Sequence, residues 1–372
     1  MVPVSVLIVT AGFGEGHNAA ARNLEDAIKE FHPQTLVSVH DFFREAHPWM
    51  YPIAQWAYKT AIRRAPWAWS LFYQFLDRFP RVSSFGLGFY RRAARRMRYT
   101  ILRMEAGIVV STFPGYGPIF QRAVRKFDLH LPFTTVITDS ISINSIWLQS
   151  PSDAYFVPND PTAQILEQRG IARSKIRVTG FPVPLVFAKP SAHPREVPPA
   201  DGLWKVLYMV NAEGAEALEI ARGLLGLENV VLTVTCGRNK TLCRRMRELG
   251  EKLGRPIEVL GWAPEMPQLI RRSHLLIGKA GGATVQEAMA AHTPMVITKV
   301  VPGQEEGNAR LLAEAGAGFV AQTPAAVVEA VRRAFDSGGA PYRECLRAAT
   351  SLSHPAAAKD IANLVTTLCL GG

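Results

Sequence analysis

At 372 residues and 48% hydrophobic composition, the chain is too long for one ordinary core and apolar enough to build two. Its net charge of +11 calls for an acidic partner: nucleic acid, anionic lipid or a phosphorylated substrate. No apolar run is long enough to span a bilayer, and the N-terminus lacks a basic leader. The four cysteines (Cys236, Cys243, Cys345, Cys369) have no metal-ligand spacing and read as reduced thiols of a cytoplasmic protein.

The first predicted element is VSVLIVT (4–10), followed by the turn TAGFGEGH and a helical pattern. Gly12, Gly14 and Gly16 alternate, with His17 directly after them. A strand–glycine-turn–helix layout brings backbone N–H groups and a helix N-terminus against an anion. No Lys-Ser or Lys-Thr pair closes the motif, so it is not a Walker A loop. Gly12 and Gly14 fit the first two glycines of a dinucleotide fingerprint, and Asp41, ending LVSVHD (36–41), fits its ribose-binding acid. On this segment alone a nicotinamide oxidoreductase stays open.

Further short strands follow at GIVVST (107–112), FTTVIT (133–138), AYFVPN (154–159) and KIRVTG (175–180). Helical segments between most of them predict an α/β domain with a parallel sheet over 1–185. Residues 48–104 break the rhythm and predict a helical insertion. From Lys59 to Arg103 there are eleven Lys or Arg and one acid, Asp77. Aromatics are interleaved, Trp67, Trp69, Phe79 and Phe85 among them. Rings with Arg91, Arg92, Arg95 and Arg96 suit an anionic membrane surface. Nucleic acid is not expected, because no nucleic-acid module pattern accompanies the charge.

The proline-rich VFAKPSAHPREVPPADG opens a linker assigned to 186–203. A second α/β set then spans 204–345: WKVLYMVN, VVLTVTC, IEVLGW, LLIGK, MVITKV and GFVAQ. Two such halves place ligands at the carboxyl edges of their strands. In GKAGGATVQEAMAA, Gly281 and Gly282 sit where strand becomes helix. Thr284 and the free N–H groups of that first turn suit a phosphate. Glu287, one turn in, reaches a sugar hydroxyl. One strand later, PGQEEGN (302–308) offers Gln304, Glu305, Glu306 and Asn308 to sugar hydroxyls.

GKAGGATVQEA…PMVITKVVPGQEEGNA resembles the donor-binding half of the family 28 glycosyltransferases. Within that family it is most similar to the monogalactosyldiacylglycerol synthases and the processive diacylglycerol glucosyltransferases. TAGFGEGHNAAA is similar to their GxGH segment, and ITDSISINSIWLQSPSDAYFVPND to their acceptor-domain core. The resemblance covers most of the chain, in order. It implies a GT-B architecture, two Rossmann-like domains facing across a cleft. It implies transfer of a hexose or N-acetylhexosamine from a UDP-sugar donor to a membrane lipid acceptor such as diacylglycerol, inversion at the anomeric carbon, and neither an essential metal nor a cofactor beyond the donor. The glycine turn with Gly14 and Gly16 would face the donor diphosphate, and His17 would stand beside the acceptor hydroxyl.

On that reading Gly281, Gly282, Ala283 and Thr284 stabilise the leaving UDP, Glu287 holds its ribose, and Gln304 and Glu305 read the hexose. Uracil lies near the GWAPEM loop, between Gly261 and Met266. His17 is the preferred general base, since its ordinary pKa lies near working pH. Asp139 is the second candidate, or an orienter for His17. In the related lipid glycosyltransferases a His precedes the Trp equivalent to Trp147; here that position is Asn144. Asn cannot act as a base, so the acceptor need not be diacylglycerol. The protein is expected to sit peripherally on the inner face of the cell membrane, with a C-terminal helix (346–372) crossing back onto the N-terminal domain. A UDP-sugar 2-epimerase of the same fold is the same-class alternative; it needs no lipid surface.

Overall fold

The computed structural model describes residues 5–78, 87–125, 131–190, 198 and 202–371. Phe79 and Phe85, and much of the expected linker, lie outside the described residues. The chain divides into two compact units. The first is Met1–Leu185 with Val301–Gly307 and His354–Gly372; the second is Val186–Val300 with Asn308–Ser353.

The first unit is built on a six-stranded parallel sheet: β1 Ser5–Val9, β2 Leu36–His40, β3 Ile108–Ser111, β4 Phe133–Val136, β5 Ala154–Val157 and β6 Ile176–Val178. Its order is β2-β1-β3-β4-β5-β6, with parallel pairings throughout. Strands β1, β3, β4 and β5 are buried along their whole length, which is why they read as continuous apolar runs. The order turns back on itself between β1 and β3, so the loops after those strands open at a topological switch point.

Residues 48–104 fold as three helices, Met50–Arg64, Pro66–Arg78 and Leu87–Arg103. The single acid of that basic stretch has a mechanical task. Asp77 accepts hydrogen bonds from the Ser145 N–H at 2.5 Å and hydroxyl at 2.7 Å, tying the second helix to the loop after β4.

The C-terminal helix Ala357–Gly371 packs on the same unit. Ala358, Ile361, Ala362 and Val365 join Val6, Ile8, Leu24 and Ile28 in one buried cluster. The tail is therefore part of this core. Ile361→Ala is expected to destabilise the first unit by about 2–5 kcal/mol through the cavity it leaves. Thermal unfolding of the full chain checks this, and an unchanged transition would deny the tail that role.

The second unit repeats the architecture with β7 Trp204–Met209, β8 Val230–Thr235, β9 Ile257–Leu260, β10 Leu275–Lys279, β11 Met295–Lys299 and β12 Gly318–Val320. Their order is β12-β11-β10-β7-β8-β9. Its switch point lies between β7 and β10, and the Gly281–Gly282 turn leaves β10 there. All twelve strands lie within two residues of their sequence-predicted bounds.

Candidate active site

Four adjacent strands of the first sheet deliver side chains to one edge: Asp41 after β2, the glycine turn after β1, Thr112 after β3, and Thr138 with Asp139 after β4. The turn ends at Gly14, whose φ of 115° is a conformation that glycine adopts without strain. The helix Glu15–Phe31 starts there with no side-chain cap, placing Gly16 and His17 in its first turn.

His17 is buried, 7% exposed, between the rings of Phe113 at 5.1 Å and Trp147 at 5.9 Å. Its Nδ1 lies 2.9 Å from the Thr112 carbonyl oxygen and 2.8 Å from the Thr138 hydroxyl. A carbonyl only accepts, so Nδ1 carries the proton and Nε2 keeps its lone pair. Burial pushes the imidazole pKa down to about 4, against the smaller raising effect of the Thr112 carbonyl. The ring is thus neutral at working pH, in the tautomer a base needs.

Asp139 is not the group that orients this ring. Its Oδ2 accepts from Trp147 Nε1 at 2.9 Å. Burial raises its pKa to about 6; the Trp147 hydrogen bond opposes this and the charge of Glu305 adds to it. Asn144 caps the short helix Ser145–Leu148, accepting from the Ile146 N–H at 3.1 Å, while its amide donates to the Tyr73 carbonyl at 2.9 Å. The Asn at this position is therefore a fastener between the insertion and the β4 loop.

His17, Asp139, Asn144, Trp147 and Gln304 line one cavity of about 300 Å3, walled by Phe13, Tyr58, Trp69, Tyr73 and Phe113 among others. The two sequence-predicted tryptophans of the insertion separate. Trp67 is 69% exposed, whereas Trp69 packs on Tyr58 at 5.0 Å inside the cavity wall. Trp147 is buried and also belongs to the cavity. Arg91, Arg92, Arg95 and Arg96 are all exposed.

Gln304 and Glu305 differ in the same way. Gln304 reaches the cavity. Glu305 is buried and turns back to accept from the Val301 N–H at 3.1 Å, bracing its own loop. Asp41 is likewise occupied. It caps the helix Phe42–Ala46 and accepts from the Gly12 N–H at 3.2 Å and the Tyr51 hydroxyl. The acid that a dinucleotide site would present to a ribose is a structural clamp here.

In the second unit, the helix Gly282–Ala290 begins at Gly281 with no side-chain cap, leaving the first-turn N–H groups of Gly282, Ala283 and Thr284 open. Glu287 lies one turn in; burial pushes its carboxyl up to about 7. Asn308 donates to the Ala280 carbonyl at 3.0 Å and steadies the strand end ahead of Gly281. Gly261 follows β9, and Met266 opens the helix Met266–Arg272. Among the described residues no group of three or more His, Cys, Asp or Glu is arranged to hold a metal ion.

Sequence reasoning missed Thr112, whose carbonyl sets the His17 tautomer, Thr138, which also meets Nδ1, and Tyr51, Gln55 and Tyr58. The signal for the last three was the i, i+4, i+7 spacing of polar-tipped residues on one helix.

Two parallel sheets with interleaved helices define a GT-B fold. Acinetobacter baumannii MurG superposes with a TM-score of 0.64 at 18% identity, covering 98% of this chain and 100% of that one. Medicago truncatula UGT71G1, complexed with UDP-glucose, superposes with a TM-score of 0.61 at 11% identity, covering 98% of each chain. The monogalactosyldiacylglycerol (MGDG) synthase family model matches residues 17–183, and the glycosyltransferase family 28 C-terminal domain matches residues 213–361. The processive diacylglycerol beta-glucosyltransferase of Bacillus mycoides is 27% identical over 323 residues, 85% of this chain and 81% of that one. The protein is a glycosyltransferase of the GT-B class. Its N-terminal part is similar to the MGDG synthases and its C-terminal part to the C-terminal domain of glycosyltransferase family 28.

Proposed function

We propose that the protein transfers a hexose from a UDP-sugar to diacylglycerol at an anionic membrane surface, in one inverting displacement. The observation that carries this is the neutral His17, with Nδ1 held by Thr112 and Thr138, lining an aromatic-walled cavity. The acceptor hydroxyl oxygen attacks C1 of the sugar as its proton passes to His17 Nε2. The bond from C1 to the diphosphate oxygen breaks, and UDP leaves with the electron pair. Charge developing on the diphosphate is stabilised by the open N–H groups of Gly282, Ala283 and Thr284, which act like an oxyanion hole. Glu287 accepts the ribose hydroxyls, and Gln304 reads the hexose. The loop between Gly261 and Met266 takes the uracil.

The relatives support the lipid acceptor: the matching family model is a monogalactosyldiacylglycerol synthase, and the Bacillus mycoides relative is a diacylglycerol glucosyltransferase. The UDP-glucose bound to the Medicago truncatula structure supports the donor. An epimerase has no use for the apolar cavity, and the nicotinamide reading loses its ribose acid at Asp41. UDP release from UDP-glucose and UDP-galactose, with and without diacylglycerol in the vesicles, tests the proposal. Release that ignores diacylglycerol would discard the acceptor.

Among the described residues no helix is long and apolar enough to cross a membrane. Surface contact is supported instead by exposed rings in helical register. Trp49, Ile53 and Trp56 line one face of the first insertion helix, and Trp67, Leu71 and Phe75 line one face of the second. The proposed location is the inner face of the cell membrane, where anionic lipid is at hand. Each surface arginine contributes about 1 kcal/mol of attraction to such lipid. Replacing Arg91, Arg92, Arg95 and Arg96 by Gln is therefore expected to weaken binding to phosphatidylglycerol vesicles at least about tenfold, and to leave neutral-vesicle binding nearly unchanged. Flotation assays measure both; undiminished anionic binding would rule these arginines out.

A further inference from the structure

The helix Met50–Arg64 has two unlike faces. Trp49, Ile53 and Trp56 are exposed outward. Tyr51, Gln55 and Tyr58, at i, i+4 and i+7, point inward with polar tips. Those tips reach two separate parts of the site. The Tyr51 hydroxyl accepts from the Gly12 N–H at 2.7 Å, and Gln55 Nε2 donates to the Gly12 carbonyl at 2.6 Å. One helix thus holds both backbone polar groups of Gly12, in the turn that leads to His17. The approach needs glycine: a Cβ on Gly12 would lie 2.8 Å from both Gln55 Nε2 and the Tyr51 hydroxyl. One turn further on, the Tyr58 hydroxyl donates to Gln304 Oε1 at 3.1 Å.

We infer that the inner face of this helix positions both halves of the reaction: Gln55 and Tyr51 fix the turn carrying His17, and Tyr58 fixes the Gln304 amide for the donor's sugar. With its carbonyl oxygen taken by Tyr58, Gln304 turns its NH2 group to a sugar hydroxyl. Burial pushes the Tyr58 phenol up to about 12, so it stays a donor across the working range. Tyr58 and Gln55 are positioning residues, each acting through another group. The inference rests on the glycosyl-transfer reading.

The test uses the full chain with UDP-hexose and diacylglycerol vesicles. Tyr58→Phe is expected to raise the donor KM roughly tenfold with little change in kcat, the loss of one oriented hydrogen bond. In a Gln304→Leu background the same change is expected to add nothing, because both act through one contact. Gln55→Leu is expected to show the opposite split, kcat down roughly tenfold with the donor KM unchanged. Wild-type kinetics in both variants would overturn the inference. So would parallel losses of kcat and donor affinity with lowered melting temperatures, or a Tyr58→Phe cost that persists without Gln304. Absence of wild-type turnover would instead sink the glycosyl-transfer reading, and this inference with it.

Discussion

His17→Ala is expected to lower kcat by roughly a hundred- to ten-thousand-fold, the usual contribution of a positioned general base, while donor affinity stays nearly unchanged. In the proposed transfer the ring serves the acceptor hydroxyl. Its Nδ1 is spent on Thr112 and Thr138, so removing the ring removes the Nε2 lone pair and no donor-holding contact. The pH dependence identifies the base. The active form of His17 is the neutral one, and burial lowers its pKa to about 4. Lowering extends the active range to the acid side, so kcat at saturating UDP-hexose is expected to be flat through neutrality and to fall only as pH approaches about 4. Asp139 works only as the carboxylate, and its pKa is raised to about 6. A fall centred there, retained in a His17 variant, would transfer the role to Asp139.

Glu287→Gln is expected to weaken UDP-hexose binding by roughly ten- to a hundredfold, as hydrogen bonds to a charged acceptor are lost. The carboxyl is raised to about 7 by burial, so the free protein carries a mixture of acid and carboxylate at neutral pH. Only the carboxylate accepts from two ribose hydroxyls. Donor affinity is therefore expected to fall as pH drops below about 7 and to level off above it. The Gln variant is expected to bind weakly at every pH, with no such slope. Calorimetric titration with UDP-hexose, whose diphosphate diester stays ionised throughout, reads both effects. A pH-independent wild-type affinity would show that Glu287 does not meet the ribose.

Buried parallel strands announce themselves: VSVLIV, GIVVS and AYFV carry β-branched and aromatic runs bounded by turn residues, and each forms. The strand-to-helix turns at Gly14 and Gly281 were legible for the same local reason. Side-chain destinations were not, because they depend on what packs over them. Trp67 and Trp69 stand two apart on one helix, and that offset sends one to solvent and the other into the cavity wall. Gln304 and Glu305 are neighbours in a polar loop, yet Glu305 closes the loop on Val301 while Gln304 meets Tyr58. Asp41 looked like a ribose ligand because an acid ending a second strand has that spacing; the Tyr51 hydroxyl and the Gly12 N–H that occupy it come from elsewhere in the chain. Asn144 looked like a lost catalytic group, and its capping role emerged only with Ile146 and Tyr73 in place.

The central claim is hexose transfer to a lipid hydroxyl with inversion. The most direct measurement is the product itself. UDP-glucose and UDP-galactose, each α-linked, are incubated with the protein and diacylglycerol in anionic vesicles, and the extracted lipid is analysed by mass spectrometry and by NMR of the anomeric proton. The account predicts a hexosyl-diacylglycerol with a β linkage from at least one donor. An α-linked product would contradict the single displacement, and UDP release with no sugar on the lipid would contradict the acceptor.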